Sequence, residues 1–148
     1  MQSGSVCPDA IAYVKGGPEA PCLSGEVRFY QERGYVLVTA DITGLPQESG
    51  SGFFAFHIHE GEDCSGESFS NTGGHYNPAN TPHPNHAGDL PPLMLCNGGA
   101  HLAVRTGRFC VRDIIGRTAV IHSSPDDFHS QPAGNTGTKI ACGVIRRR

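Results

Sequence analysis

The sequence has 148 residues, the length of one ordinary domain, so we expect a single domain over residues 1–148 that buries its own core. Its formal net charge is −3 and 17% of its residues are charged, which excludes a strongly basic nucleic-acid-binding protein. The chain contains no run of about 18 apolar residues, so we expect no membrane-spanning helix.

Short segments that are rich in β-branched residues, or that alternate between apolar and polar residues, recur along the chain and predict strands. No segment shows the 3.6-residue apolar period of an amphipathic helix, and only "RDIIG" (112–116) is compatible with a single helical turn. The predicted strands cover residues 10–17, 25–31, 34–45, 53–60, 100–106, 116–122 and 139–145. This pattern predicts an all-β, antiparallel sandwich or barrel of about eight strands.

Two long segments, residues 61–92 and 123–138, lack strand character. Segments of this length without secondary structure are usually functional or disordered when they lie in a compact domain. We therefore expect two long functional loops.

The ends of the chain carry little information. The first residues, "MQSGSVCPDA", lack the basic and apolar regions of a signal peptide. We therefore expect a cytoplasmic protein, with a secreted mature chain as the alternative. The last residues, "IRRR", are expected to form a solvated basic terminus.

Two histidines stand in the predicted strand "FFAFHIHE" at a spacing of i, i+2. On a strand, His57 and His59 leave the same face about 6.6 Å apart, while Phe56 and Ile58 point into the core. Two imidazoles on one face are able to flank one metal ion. An isolated pair of this kind is also typical of exposed strand residues.

The segment "HYNPANTPHPNHAGD" (75–89) holds three histidines and an aspartate, namely His75, His83, His86 and Asp89. Three imidazoles and one carboxylate form a tetrahedral zinc set. The prolines between them stiffen the loop and so reduce the entropy that is lost on binding. The alternative is a solvated loop that happens to be rich in histidine, and the glycines that flank the set disfavour it.

His122 ends the predicted strand "GRTAVIH", and Asp126 follows it in "PDD". A carboxylate close to a metal-bound histidine usually orients that histidine. By itself, His122 is equally typical of an ordinary strand end. We assign no role to His101, which lies inside a strand pattern, and we expect His129 to be exposed.

The six cysteines permit disulfide bonds, but an even count does not fix their pairing. In the first hairpin, Cys7 would face about residue 31, which disfavours a bridge to Cys22. Cys96 and Cys110 are able to approach each other. Free or buried thiols are the alternative for these four residues.

Taken in order, these motifs resemble the copper/zinc superoxide dismutase family. The resemblance extends over residues 10–145, nearly the whole chain, and depends on the ordered combination more than on any single motif. The matching segments are "ITGLP", "FHIHEGEDC", "GGHYNP", His83, "HAGDL", "IIGRTAVIH", "PDD" and "GNTGTKIACGVI".

The resemblance implies a Greek-key β-barrel with copper and zinc as cofactors and with one histidine shared between the two metals. The implied copper ligands are His57, His59, His75 and His122. The implied zinc ligands are His75, His83, His86 and Asp89. Asp126 is implied to link a copper histidine with a zinc histidine, and Cys64 and Cys142 to form the family's disulfide.

The implied activity is the disproportionation of superoxide to dioxygen and hydrogen peroxide by one-electron cycling of copper. In the family the bridging histidine, here His75, leaves copper on reduction, takes up a proton and returns it to the peroxide. Two alternatives are a copper-handling module of the chaperone type and an inert structural domain of the same fold. No copper ligand is missing from the sequence, which disfavours the chaperone-type module.

Two positions depart from the family's pattern. Lys139 stands where the family usually has an arginine, and Ala133 where it often has a threonine. Lysine keeps the positive charge that guides an anion but loses the planar fork that grips it at two points. We therefore expect Lys139 to act beside His75 in the catalytic site, with weaker docking of superoxide. These departures predict a divergent, bacterial branch. The resemblance implies either a monomer or a homodimer, because the family dimerises through different surfaces.

Overall fold

The computed structural model describes residues 6–47 and 50–148. Within these residues the strands are β1 (Ala10–Gly16), β2 (Ser24–Glu32), β3 (Tyr35–Thr43), β4 (Phe53–His59), β5 (Asp89–Met94), β6 (Ala100–Thr106), β7 (Thr118–His122) and β8 (Lys139–Arg147). A 3₁₀ helix (Glu67–Thr72) and a short helix α1 (Val111–Ile114) accompany them. No helix in the described part of the chain is long and apolar enough to cross a membrane.

The strands form one sheet in the order β5-β4-β7-β8-β1-β2-β3-β6, and every neighbouring pair is antiparallel. The two edge strands, β5 and β6, approach each other, so the sheet curls into a nearly closed barrel. Strands β3 and β4 follow each other in the chain but are not neighbours in the sheet, and the same holds for β6 and β7. The predicted all-β Greek-key barrel is confirmed.

Alternation along the strands fills the barrel with apolar side chains. In β3, Val36 and Val38 are fully buried, whereas Tyr35, Leu37 and Thr39 are half-buried. Phe29, Phe54 and Phe56 are the largest fully buried side chains of the core. Burying a phenylalanine stabilises the folded state by about 2–3 kcal/mol, so this core supports the barrel without a metal.

Strand β5 was not predicted, because Pro91 and Pro92 have no N–H groups for a strand ladder. The structure accommodates them at the edge of the sheet, where the pairing of β5 with β4 shifts register between Phe54 and Phe56. The first long loop therefore ends at residue 88 instead of residue 92.

Strand β8 is longer than predicted. Arg146 pairs with Ile11 and Arg147 pairs with Ala10, so the backbone of both arginines belongs to the barrel. The expectation of a solvated terminus was wrong for their backbone. Their side chains are exposed, as expected.

A disulfide joins Cys64 in the first long loop to Cys142 in β8, with the two Cα atoms 5.8 Å apart. The pairing implied by the family resemblance is therefore confirmed. The other four cysteines are free thiols, namely Cys7, Cys22, Cys96 and Cys110. Cys96 and Cys110 therefore form no bond with each other.

Candidate metal centre

The first group of candidate ligands lies where β4, β7 and the first long loop meet. Strand β4 carries His57 and His59, and the antiparallel neighbour β7 ends at His122. His75 forms an isolated β-bridge with His59. One ring nitrogen from each of these four side chains lies within 4.8 Å of the other three.

Hydrogen bonds fix the ring nitrogens of the two β4 histidines. His57 donates Nε2–H to Asp126 Oδ2 at 2.8 Å, and His59 donates Nδ1–H to the carbonyl of Gly73 at 2.8 Å. Their remaining nitrogens carry lone pairs, and both lie 3.2 Å from Nε2 of His122. A proton on that nitrogen would satisfy one of the two lone pairs, whereas a cation between the rings satisfies all three nitrogens.

The spacing of these nitrogens fits a metal ion. A metal–nitrogen bond of about 2.0–2.1 Å places neighbouring ligands about 2.9–3.4 Å apart. The observed separations of 3.2 Å fall in this range. Four imidazoles suit copper, which prefers nitrogen donors of this kind.

Burial keeps the imidazoles of His57, His59 and His122 neutral. Desolvation lowers the pKa of His57 to about 4, and it holds the pKa of His59 and of His122 well below the ordinary histidine value. An imidazole must be neutral to offer its lone pair to a metal. His57, His59 and His122 are therefore able to bind a metal at neutral pH without first losing a proton.

The second group consists of His75, His83 and His86 of the first loop and Asp89 at the start of β5. His75 Nδ1 lies 2.8 Å from Asp89 Oδ1 and 3.1 Å from His86 Nδ1. His83 Nδ1 lies 3.1 Å from Asp89 Oδ2. Burial opposes ionisation of Asp89, but the hydrogen bond from His75 and the nearby imidazoles outweigh it and lower the pKa of this carboxyl. The donor set fits tetrahedral zinc.

His75 belongs to both groups. Its Nδ1 faces the second group, and its buried Nε2 has no hydrogen-bond partner among residues 6–47 and 50–148. The buried Nδ1 of His83 lies close to Asp89 Oδ2 but forms no hydrogen bond with it or with any other described residue. A buried polar atom without a partner costs about 1–3 kcal/mol, and a metal ion at each group removes this cost.

Asp126 connects the two groups. Its Oδ2 accepts the bond from His57, and its Oδ1 accepts Nε2–H of His83 at 2.7 Å. Burial would raise the pKa of Asp126, but these hydrogen bonds outweigh it and lower the pKa to about 2. Gly134 packs against this carboxylate with a φ of +82°, and a Cβ there would lie 2.1 Å from Oδ1. Glycine is therefore required at this position.

Two side chains that the sequence did not single out hold the first loop in place. Gln131 of the second loop bonds to the backbone N–H and carbonyl of His83 at 2.9 and 2.8 Å. Arg108 donates Nη1–H to the carbonyls of Pro84 and His86 at 2.7 and 3.1 Å. Polar side chains in loops carry no sequence signal for their acceptors, which explains why both were missed.

A cavity of about 420 Å³ leads from the surface to the first group, and Lys139 lines it. Lys139 Nζ donates to Thr72 Oγ1 at 2.7 Å and to the carbonyl of Gly73 at 3.0 Å. The same carbonyl accepts the bond from His59. The cavity wall includes His59, His75, His122, Ala133, Thr136 and Lys139.

The remaining two histidines lie outside both groups. His101 is exposed on β6 and contacts Asp41 at 2.7 Å. His129 is exposed in the second loop, as expected, and contacts the backbone carbonyl of Asp127. The structure thus separates these two imidazoles from the six that converge.

Comparison with known proteins agrees with this arrangement. The family model described as "Copper/zinc superoxide dismutase (SODC)" matches residues 23–145. The chain belongs to the copper/zinc superoxide dismutase family.

Several curated members of the family cover most of this chain. A copper-zinc superoxide dismutase of Legionella pneumophila is 38% identical over 154 aligned residues, which cover 99% of this chain and 92% of that protein. A copper-zinc superoxide dismutase of Aquifex aeolicus is 36% identical over 137 aligned residues, which cover 82% of this chain and 78% of that protein. An extracellular copper-zinc superoxide dismutase of Rattus norvegicus is 31% identical over 139 aligned residues, which cover 86% of this chain and 57% of that protein. The expected relationship to bacterial members is confirmed.

We expect His83→Ala to release zinc while copper stays bound. The substitution removes one donor of the second group and also one of the two imidazoles that hold Asp126. Metal analysis of the purified holoprotein measures both contents, and His129→Ala is the matched control because His129 is exposed. Unaltered zinc content in His83→Ala would contradict the placement of His83 in the zinc set.

Proposed function

We propose that this protein disproportionates superoxide to dioxygen and hydrogen peroxide at a copper–zinc centre formed by the two histidine groups. The observation that carries the proposal is the position of His75, which faces one group with Nδ1 and leaves Nε2 buried at the other, without a hydrogen-bond partner in the described part of the chain. Membership of the family supports the same activity and the same two cofactors.

The first group is the proposed copper site and the second the proposed zinc site. Copper, when bound, supplies the one-electron couple that disproportionation needs, and zinc has no redox chemistry. The copper ligands are His57, His59, His75 and His122. The zinc ligands are His75, His83, His86 and Asp89. Asp126 orients one imidazole of each set.

His75 is the proposed proton carrier. Its Nδ1 stays with Asp89 and the other donors of the second group, so the ring is held in place while Nε2 changes its partner. In this role Nε2 holds a proton and passes it to the reduced substrate in the cavity. The position of His75 in the cavity wall gives the substrate access to this atom.

Lys139 is the proposed guide for the anionic substrate. Its ammonium group lies in the wall of the same cavity as His75 and provides local positive charge in a chain whose net charge is −3. Positive charge in a cleft raises the rate at which small anions enter it. Thr72 and the carbonyl of Gly73 hold the group in position.

Metal analysis combined with a superoxide consumption assay tests the proposal. We expect one copper and one zinc per chain and an activity that cyanide inhibits. A protein that binds both metals without consuming superoxide would overturn the proposal and favour the copper-handling or structural alternatives.

Lys139→Arg should raise the rate of superoxide consumption a few-fold at low ionic strength. A lysine has three N–H donors, and two contacts already engage the ammonium of Lys139, whereas arginine has five donors in a planar fork. The rate should be measured against salt concentration, because screening weakens guidance. Lys15→Arg is the control, since Lys15 is exposed on β1. Equal rates for Lys139→Arg and Lys15→Arg at every salt concentration would contradict a docking advantage of arginine at position 139.

The oligomeric state and the compartment stay predictions. We expect a monomer or a homodimer. Family membership is compatible with a cytoplasmic or a secreted protein, since the relatives include one that is named extracellular.

A further inference from the structure

Thr136 places a buried hydroxyl group in the wall of the substrate cavity. The residue is 3% exposed, and it lines the cavity together with His59, His75 and His122. Its Oγ1 lies 3.2 Å from Nδ1 of His122. Nothing in the sequence pattern indicates a role for this threonine.

The local backbone fixes the position of this hydroxyl. Thr136 lies in the turn "GNTG", in which Gly134, Asn135 and Gly137 all have left-handed φ values of 82°, 55° and 76°. The carbonyl of Thr136 accepts the N–H of Ser124 at 3.0 Å, which ties the turn to the segment that follows β7. The side chain is therefore held against the end of β7.

A threonine hydroxyl has one proton to donate and two lone pairs to accept bonds. When His122 offers the lone pair of Nε2 to a metal, its Nδ1 carries the ring proton and donates it to Thr136 Oγ1. The proton of the hydroxyl itself then has no acceptor among residues 6–47 and 50–148. A buried donor without an acceptor is costly, so a group that enters the cavity and accepts this proton is stabilised.

We propose that the Thr136 hydroxyl is a docking group for the anionic substrate: it accepts the Nδ1–H of His122 and donates its own proton to a small anion in the cavity. Ala133, in the same cavity wall, stands where the family often has a threonine, so one hydroxyl donor is missing there. Thr136 supplies a hydroxyl donor to the same cavity from three positions further along the chain.

This inference rests on the proposed function, because it assigns the substrate of that site a hydrogen-bond donor. The probe is azide, a small anion that binds copper and is not consumed. The holoprotein loaded with copper and zinc is titrated with sodium azide at constant pH and ionic strength, and the azide-to-copper absorption band reports the dissociation constant.

Thr136→Val should weaken azide binding about tenfold, the typical effect of losing one hydrogen bond to a charged group. Thr136→Ser keeps the hydroxyl and should stay within about twofold of the unchanged protein. Thr136→Ala, which removes the hydroxyl and the methyl group, should weaken azide binding at least about threefold, and it serves if the valine variant does not hold copper. Unchanged azide affinity in copper-loaded Thr136→Val or Thr136→Ala would overturn the proposal. A tenfold loss of azide affinity in Thr136→Ser would overturn it as well.

Thr138→Val is the matched control. Thr138 lies two residues further on, and its hydroxyl is exposed and donates to Glu19 Oε2 at 2.8 Å. The same chemical change there should leave azide binding unaltered, and a comparable loss would show that the loop as a whole is responsible.

The copper EPR spectrum provides a separate readout for the contact with His122. Thr136→Val should shift the spectrum, because His122 loses the acceptor that orients its ring. Thr136→Ser should keep the spectrum of the unchanged protein.

Azide binding also separates this inference from the proposed function. If the unchanged holoprotein binds copper and azide but does not consume superoxide, the proposed function fails while the docking role of Thr136 is still measured.

Discussion

His122→Ala should remove copper from the protein and lower its superoxide dismutase activity by about 100-fold or more, while the barrel stays folded. His122 Nε2 is the atom to which the lone pairs of His57 and His59 both point at 3.2 Å. Without it the proposed copper set loses its common centre, and loss of a direct ligand exceeds the 10- to 100-fold effects of outer partners. Copper content and superoxide consumption measure the two losses.

The fold is expected to survive because the core is formed by apolar side chains of the barrel, and His122 stands at the end of β7. Circular dichroism and the zinc content report an intact barrel. His101→Ala is the matched control, since it removes an exposed imidazole from β6. Full activity and full copper content in His122→Ala would refute its assignment as a ligand.

Removing the disulfide should have the largest effect on stability. In a double variant with Cys64→Ser and Cys142→Ala, we expect the free energy of unfolding to fall by about 4 kcal/mol. The bridge closes a sequence separation of 78 residues, and a loop of this length loses much of its freedom in the unfolded chain. Urea unfolding of the metal-free protein isolates the contribution of the disulfide to the free energy of unfolding, because bound metals add their own stabilisation.

The free thiols provide the control for this measurement. A double variant with Cys22→Ser and Cys96→Ser changes two exposed cysteines that form no bond, so its stability should stay within about 0.5 kcal/mol of the unchanged protein. Equal unfolding midpoints for the two double variants would contradict a stabilising role for the bridge.

The strands that face the core on one side were predictable from the sequence. In β2 the apolar residues alternate with polar ones, and β3 is a run rich in β-branched residues. In both strands every second side chain of the buried stretch lies inside the barrel. Strand β5 was not predictable, because its prolines weaken every local strand signal and only its position at the edge makes them acceptable. The end of β8 was missed because charged residues at a terminus look the same in a strand and in solvent.

The placement of the candidate ligands was likewise only partly predictable from the sequence. The spacing of His57 and His59 places both on one face of a strand, but nothing in the spacing brings His75 or His122 to them. That convergence followed from the family resemblance alone. Thr136 could not be predicted as a partner of His122, because the direction of the Thr136 side chain depends on the left-handed residues of its turn. The acceptor of a polar side chain is a property of the folded loop.

The two prolines of β5 have a consequence for how copies of this protein meet each other. An outer strand with free N–H groups is a template on which another chain can add a strand, and this is a common start of aggregation. Pro91 and Pro92 offer no such groups, and the opposite edge, β6, lies close by. The seam of the barrel is thereby protected against intermolecular strand addition, which favours solubility at high concentration.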